Sequence, residues 1–208
     1  MARNPQNTDT LIEAVTRLQS GDKAALESIL EQCQERLYYY ALKMTGNPAD
    51  AEEVVQEVFV TVLEKIGTLR EPGSFLPWVF TTAKNLCFLK LRGRRKDQDA
   101  TVSLEDYMPR FNRGHIGAVE DWSDRVESGA LSKELARHLD AAIQKLPIEY
   151  REILLLRDVQ GLSAEEAGKV CGLSVAAVKS RLHRARLFVR ENLSQYLTGA
   201  GTKQASWE

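Results

Sequence analysis

The chain has 208 residues, 43% of them hydrophobic and 27% charged, and its 28 basic and 29 acidic side chains nearly cancel. That balance suits one large or two small globular domains and excludes a disordered or collagen-like chain. Three scattered cysteines without a CxxC, three scattered histidines and no long apolar run exclude a disulfide framework, a His/Cys metal site and a membrane span, so a cytoplasmic protein is expected.

The neutrality hides a division of labour. Bases gather at Lys84–Lys96 and Lys179–Arg190, and acids gather at Asp50–Glu64 and Asp97–Glu127. A nucleic-acid binder so arranged has another surface for a different partner. Residues 1–9 are polar and expected to fray. Leu11–Gln19 and Asp22–Met44 read as helices broken at Ser20-Gly21, with Asp22 as N-cap and Leu26, Ile29, Leu30, Cys33, Leu37, Tyr40 and Met44 at helical spacing. Gly46-Asn47-Pro48 stops the second helix and opens a third, Asp50–Ile66. In that helix Val54, Val55, Val58, Phe59, Val62 and Leu63 are expected inward, and Glu52, Glu53, Gln56, Glu57 and Glu64 outward.

A short polar loop follows at Gly67–Ser74. Phe75–Lys96 reads as a fourth helix with Pro77 in its first turn, Phe75, Trp78, Val79, Thr82, Leu86 and Leu89 on one side, and a basic end at Lys90, Arg92, Arg94, Arg95 and Lys96. Five cations in seven residues exceed what a helix C-terminus needs, which points to phosphate contact. From Asp97 to Gly129 no periodicity persists, and acids predominate; this stretch reads as a flexible acidic linker. Helices resume at Ala130–Lys145 and, after Pro147, at Ile148–Asp158.

Gly161–Arg190 reads as a helix-turn-helix. Ser163 and Glu166 form a capping box, Gly172 ends the first helix, and Ser174 caps a second whose apolar positions are Val175, Val178, Leu182, Ala185 and Val189. The second helix also carries Lys179, Arg181, Arg184, Arg186 and Arg190, with no acid between Glu166 and Glu191. A cationic second helix of such a pair suits the DNA major groove. No Gly-rich phosphate loop, HExxH, GxSxG or Cys–His pair occurs, so no catalytic residue, metal site or cofactor is expected and the chain reads as a binding protein rather than an enzyme.

These pieces resemble the bacterial sigma factors of the extracytoplasmic-function (ECF) group within the sigma-70 family. The resemblance lies in Asn47–Phe59 (NPADAEEVVQEVF), Phe75-x-x-Trp78-Val79, Ala83-x-Asn85, Leu146-Pro147-x-x-Tyr150-Arg151-Glu152, Gly161-Leu162-Ser163-x-Glu165-Glu166-Ala167 and Val178–Arg186. It implies an all-α fold of two small helical domains: a region 2-like bundle at 8–96 and a region 4-like helix-turn-helix domain at 130–197, joined by the flexible acidic linker 97–129.

The resemblance further implies that Asp50, Glu53, Gln56 and Glu57 contact the β′ clamp helices of core RNA polymerase, the β flap being a second polymerase contact. The Gly67–Ser74 loop would capture a flipped base of the −10 element, with Arg70, Lys84, Asn85, Arg92, Arg94 and Arg95 near −10 DNA. Lys179, Ser180, Arg181, His183 and Arg184 would meet the −35 element. An anti-sigma factor is the implied regulator, able to hold the protein at the inner membrane. Leu89, where the family commonly has aspartate, and Pro77 before Trp78 depart from the pattern. The residues alone leave a second reading open: a helix-turn-helix regulator with an N-terminal helical sensor or dimerisation domain.

Overall fold

The computed structural model describes residues 5–95 and 133–201, and the side chains of 9–93 and 135–193. The acidic linker, Lys96 and the side chains of Arg94 and Arg95 lie outside these. Among the described residues all regular structure is helical: α1 Pro5–Gln19, α2 Ala25–Thr45, α3 Pro48–Lys65, α4 Phe75–Arg95, α5 Lys133–Lys145, α6 Ile148–Leu154, α7 Ala164–Cys171 and α8 Val175–Gly201.

Local chemistry sets most boundaries. Arg17 pairs with Asp22 at 2.6 Å across the turn at Gly21, whose φ is 98°. Asp22 does not cap α2 as expected: its carboxylate accepts from the Ala24 N–H at 3.1 Å, within the turn that leads into the helix. Gly46 ends α2 in the left-handed conformation, and Asn47 caps α3 by accepting from the Asp50 N–H at 3.2 Å, with Pro48 at N1. After α6 the chain makes one wide π turn at Leu155–Val159.

Helices α1–α4 bury Val15, Ile29, Leu37, Tyr40, Met44, Val58 and Phe80. The Tyr40 and Phe80 rings meet edge to face at 5.3 Å between centroids. Helices α5–α8 bury Leu146, Ile153, Leu155, Leu156, Leu162 and Val178. Leu63, expected inward, is 50% exposed, and Leu89, expected on the same side of its helix as Phe75 and Val79, is 60% exposed while those two are buried. Leu63 stands at helical spacing with Phe59 and Ile66, and Leu89 with the partly buried Leu86, but among the described residues no neighbouring element covers their side of the helix.

The two halves also pack directly on each other. Lys43, 8% exposed, reaches Asp140 of α5 at 2.6 Å. Arg36 of α2 donates to the Gln160 carbonyl at 2.8 Å, and Gln160 returns a bond to the Arg36 carbonyl at 3.3 Å. Arg151 of α6 donates to the Lys43 and Met44 carbonyls at 3.4 and 3.3 Å. Lys84 of α4 donates to the Val170 carbonyl of α7 at 2.7 Å. Two separately folded halves on a flexible linker would not require these contacts. Arg151 and Lys84 find acceptors because the last carbonyls of α2 and α7 lack partners within their own helices, whereas Lys43–Asp140 and Arg36–Gln160 join side chains across the seam.

Candidate nucleic-acid and protein interfaces

The helix-turn-helix forms as its sequence dictates. The Ser163 hydroxyl accepts from the Glu166 N–H at 3.1 Å, and the Glu166 carboxylate accepts from the Ser163 N–H at 2.7 Å. Gly172 takes φ 68°, and Ser174 accepts from the Ala177 N–H at 3.2 Å. The turn makes one further demand that helical periodicity does not reveal. A Cβ on Gly168 would stand 2.7 Å from the Leu173 carbonyl oxygen, a backbone atom with little room to yield. Gly168→Ala is therefore expected to cost about 1–3 kcal/mol by overpacking, more than the roughly 1 kcal/mol that alanine gains in helix propensity. Thermal unfolding checks this, and a variant as stable as its parent would mean that the turn relaxes freely.

On α8, Lys179, Ser180, His183 and Arg184 are exposed together, one turn apart on one face. Arg181 lies apart from them, partly buried, where its charge acts on Glu152 and Cys171. Arg186 grips Asp158 through two bonds of 2.8 Å and so fastens α8 to the π turn. The open face can thus offer cations, a hydroxyl and an imidazole to base edges and phosphates.

In the first half, Arg70 is exposed in a loop built of two 3-10 turns, Ile66–Thr68 and Pro72–Ser74. Gln19 anchors its base by donating to the Ile66 and Leu69 carbonyls at 3.0 and 2.6 Å. Asn85 and Arg92 are exposed on α4, whereas Lys84 is engaged with Val170. Lys90 pairs with Glu53 and, at 3.6 Å, with Glu57.

The acidic residues of α3 therefore divide. Glu53 and Glu57 are partly answered by Lys90, and Asp50 sits half-buried in the first turn. Gln56 is open and, with Glu52 and Val55, lines a groove of about 380 Å³ whose other wall is Glu31, Gln34, Glu35 and Tyr38 of α2. The α2 wall escaped notice in the sequence, although Glu31, Glu35 and Tyr38 recur at helical spacing. Val60 and Leu63 add exposed apolar surface to the same side of α3. An acidic groove beside apolar surface suits a basic, amphipathic protein partner.

Between the halves lies a titratable cluster. Burial pushes the Glu152 carboxyl above its ordinary range; a bond from the Cys171 thiol at 3.2 Å and the charges of Lys84 and Arg181 pull it partly back, while Glu149 adds to the rise. Burial raises the thiols of Cys33 to about 11, of Cys87 to about 12, and of Cys171 further still. All three stay protonated at neutral pH and are poor nucleophiles. Among the described residues no group of His, Cys, Asp and Glu could hold a metal ion.

Because Glu152 is raised in the fold, its contribution to stability is complete below the ordinary carboxyl range and is lost as pH rises through the folded value. Glu152→Gln keeps the shape and removes the buried charge. It is expected to melt above the parent at pH 8, with the gap closing by pH 4. A variant that melts lower at pH 8 would show that the charge is held by its partners rather than tolerated.

Comparison with known proteins follows the same geography. The family model for sigma-70 region 2 matches residues 29–97, and that for sigma-70 region 4 matches residues 136–189. The ECF RNA polymerase sigma factor SigE of Mycolicibacterium smegmatis is 32% identical over 180 residues, spanning 85% of this chain and 66% of that longer protein. The ECF RNA polymerase sigma-E factor of Escherichia coli K12 is 30% identical over 185 residues, spanning 87% of this chain and 92% of its own length. Among solved structures, the sigma factor RpoE in complex with the anti-sigma factor NepR from Bartonella quintana shares the fold, with a TM-score of 0.60 at 22% identity over 81% of this chain and 96% of its own.

Proposed function

The chain belongs to the sigma-70 family, in its extracytoplasmic-function group, and from that membership we propose how its surfaces divide the work of promoter-specific initiation. Residues 8–96 form the domain that binds core RNA polymerase and melts the −10 element; residues 130–197 form the domain that reads the −35 element as duplex, with 97–129 as the connection between them. Glu53, Gln56 and Glu57, with Asp50 at the start of α3, face the β′ clamp helices, and the second domain meets the β flap. Lys179, Ser180, His183 and Arg184 approach −35 base edges and phosphates, and Arg181 follows once the two halves separate. Arg70, Asn85, Arg92, Arg94 and Arg95, with Lys84 after its release from Val170, meet the −10 strand.

The protein acts by binding and by holding an extruded base, not by bond chemistry. The observation that carries this reading is the presence in one chain, in order, of both sigma regions, the second with an open basic recognition face. The alternative of a sensor-type regulator has no such support in the first half, where region 2 matches.

The contacts between the halves bear on how the protein works. A −10 and a −35 element lie roughly 25 base pairs, or about 85 Å, apart along the duplex at about 3.4 Å per pair. A compact chain of this length has a radius of gyration of only about 17 Å. The two reading faces cannot reach both elements while the halves stay packed, so promoter engagement requires the Lys84, Arg36 and Arg151 contacts to open. Core polymerase supplies the binding energy for that opening. An anti-sigma factor would act in the opposite sense by holding the halves together; a relative of the same fold is known with one bound. A cytoplasmic location, at the inner membrane when such an inhibitor is anchored there, fits this role. Among the described residues no helix is long and apolar enough to cross a membrane.

The test is transcription of pooled genomic promoter fragments by bacterial core polymerase with and without the protein, with transcript 5′ ends sequenced. New starts that appear only with the protein and share two upstream motifs at fixed spacing are expected. Tight dimeric binding to palindromic DNA without polymerase, and no new starts, would overturn the reading in favour of a conventional regulator.

A further inference from the structure

Helix α4 carries Lys84, Lys90, Arg92, Arg94 and Arg95 and no acidic residue between Phe75 and Arg95. Its two partly buried cations turn away from its open side. Lys90 leans onto Glu53 and Glu57 of α3, and Lys84 leans onto the Val170 carbonyl of α7. Between these flanks runs a stripe at helical spacing: Trp78, Thr82, Asn85, Leu89 and Arg92. Thr82 turns its hydroxyl back to the Trp78 carbonyl at 3.2 Å. Asn85 and Arg92 are exposed, and the Asn85 amide makes no hydrogen bond among the described residues.

Leu89 sits between Asn85 and Arg92 and is 60% exposed, the most exposed large hydrophobic side chain described. A lone surface leucine is unremarkable. This one is set in a stripe whose other open groups are an amide and a guanidinium, the side chains that read adenine and guanine edges or hold phosphate. An aliphatic group in that row has one complementary feature on DNA. Thymine alone carries a C5-methyl at its major-groove edge, and apolar side chains recognise it by contact.

We propose that Leu89 is a specificity-determining residue that reads a thymine of the −10 element through its C5-methyl group, with Asn85 and Arg92 setting the register on either side. This rests on the sigma reading above. The contact excludes water from about one methyl group, so its loss lowers initiation by about fourfold. Adenine, guanine and cytosine at that position offer no methyl and forfeit the same contact.

The experiment uses a promoter recovered from the transcription assay, with each thymine of its −10 element, on either strand, replaced singly by deoxyuridine. This exchange removes the methyl and leaves base pairing intact. Full-length protein and its Leu89→Ala variant are compared with core polymerase, and core binding of the two is measured alongside. One deoxyuridine is expected to cut parental initiation about fourfold. The variant should initiate at that lowered level on the thymine template and be indifferent to the exchange, with core binding unchanged. A −10 element without thymine, no sensitive position for the parent, or a variant as sensitive as the parent would each overturn the proposal. Absence of any specific start with the parent would instead remove the sigma reading on which it rests.

Discussion

Replacing Glu52 and Gln56 together by lysine is expected to lower affinity for core RNA polymerase by roughly 100-fold while leaving the fold intact. Both side chains are exposed on α3 and line the acidic groove opposite Glu31 and Glu35, and neither makes a bond within the described chain. The change therefore breaks nothing internal. It does set two cations where the proposed basic partner surface must dock, and like charges juxtaposed in an interface cost several kcal/mol. Charge reversal at Glu53 or Glu57 is a less clean test, because Lys90 already answers both and its release would disturb the packing of α4. Titration of labelled protein with core polymerase reads the effect, and melting curves confirm the fold. The loss should shrink as salt rises, since exposed charges are screened over about 8 Å at physiological ionic strength. Unaltered affinity would return this face to the role of a solvated surface.

Sequence and structure agree where the cause is local. The Asn47 cap, the Ser163–Glu166 capping box and the turn at Gly172 each depend on residues within a few positions, so their chemistry is readable without a fold. The helical character of both halves and the amphipathic α3 follow for the same reason. Leu63 and Leu89 were misplaced because periodicity tells which apolar residues share a face but not how much of that face a neighbouring helix covers. Gly168 looks like an ordinary helical glycine until the Leu173 carbonyl is seen folding back over it.

The least legible feature is the contact between the halves. Arg36 finds Gln160, Lys43 finds Asp140 and Lys84 finds Val170 across about half the chain, and no spacing rule links such positions. Lys84 shows why this matters for the site. By its place in a basic helix it reads as a phosphate ligand; in the structure it satisfies the end of α7 instead. Among the expected −10 residues whose side chains are described, it is the one engaged with the other half. Arg181 behaves alike on the other side, turned toward Glu152 while its neighbours on α8 face outward.

The residue on which the closed arrangement depends most is Arg151, and Arg151→Ala is expected to cost about 3–4 kcal/mol. Its guanidinium donates to the Gln144 and Leu146 carbonyls at the end of α5, to the Gln144 side chain at 3.1 Å, and to the Lys43 and Met44 carbonyls at the end of α2. Burial lowers its pKa to about 10, so it is still charged at neutral pH, and among the described residues no carboxylate pairs with it. What offsets the burial is a ring of carbonyls at two helix C-termini, each the negative end of a helix dipole. Alanine removes the cation and takes a donor from each of these carbonyls in a half-buried site, where an unsatisfied group costs about 1–3 kcal/mol. Among the described residues only the Lys43 carbonyl keeps a side-chain donor, the Gln144 amide at 2.9 Å. Lysine keeps the charge but not the fork, so it should recover only part of the loss. Urea unfolding followed by circular dichroism measures both variants. Because the lost bonds join α2 to α5 and α6, the alanine variant should also lose cooperativity, its single transition broadening into two as the halves unfold separately. An alanine variant that matches the parent in both midpoint and cooperativity would show that Lys43–Asp140 and Arg36–Gln160 suffice to hold the halves together.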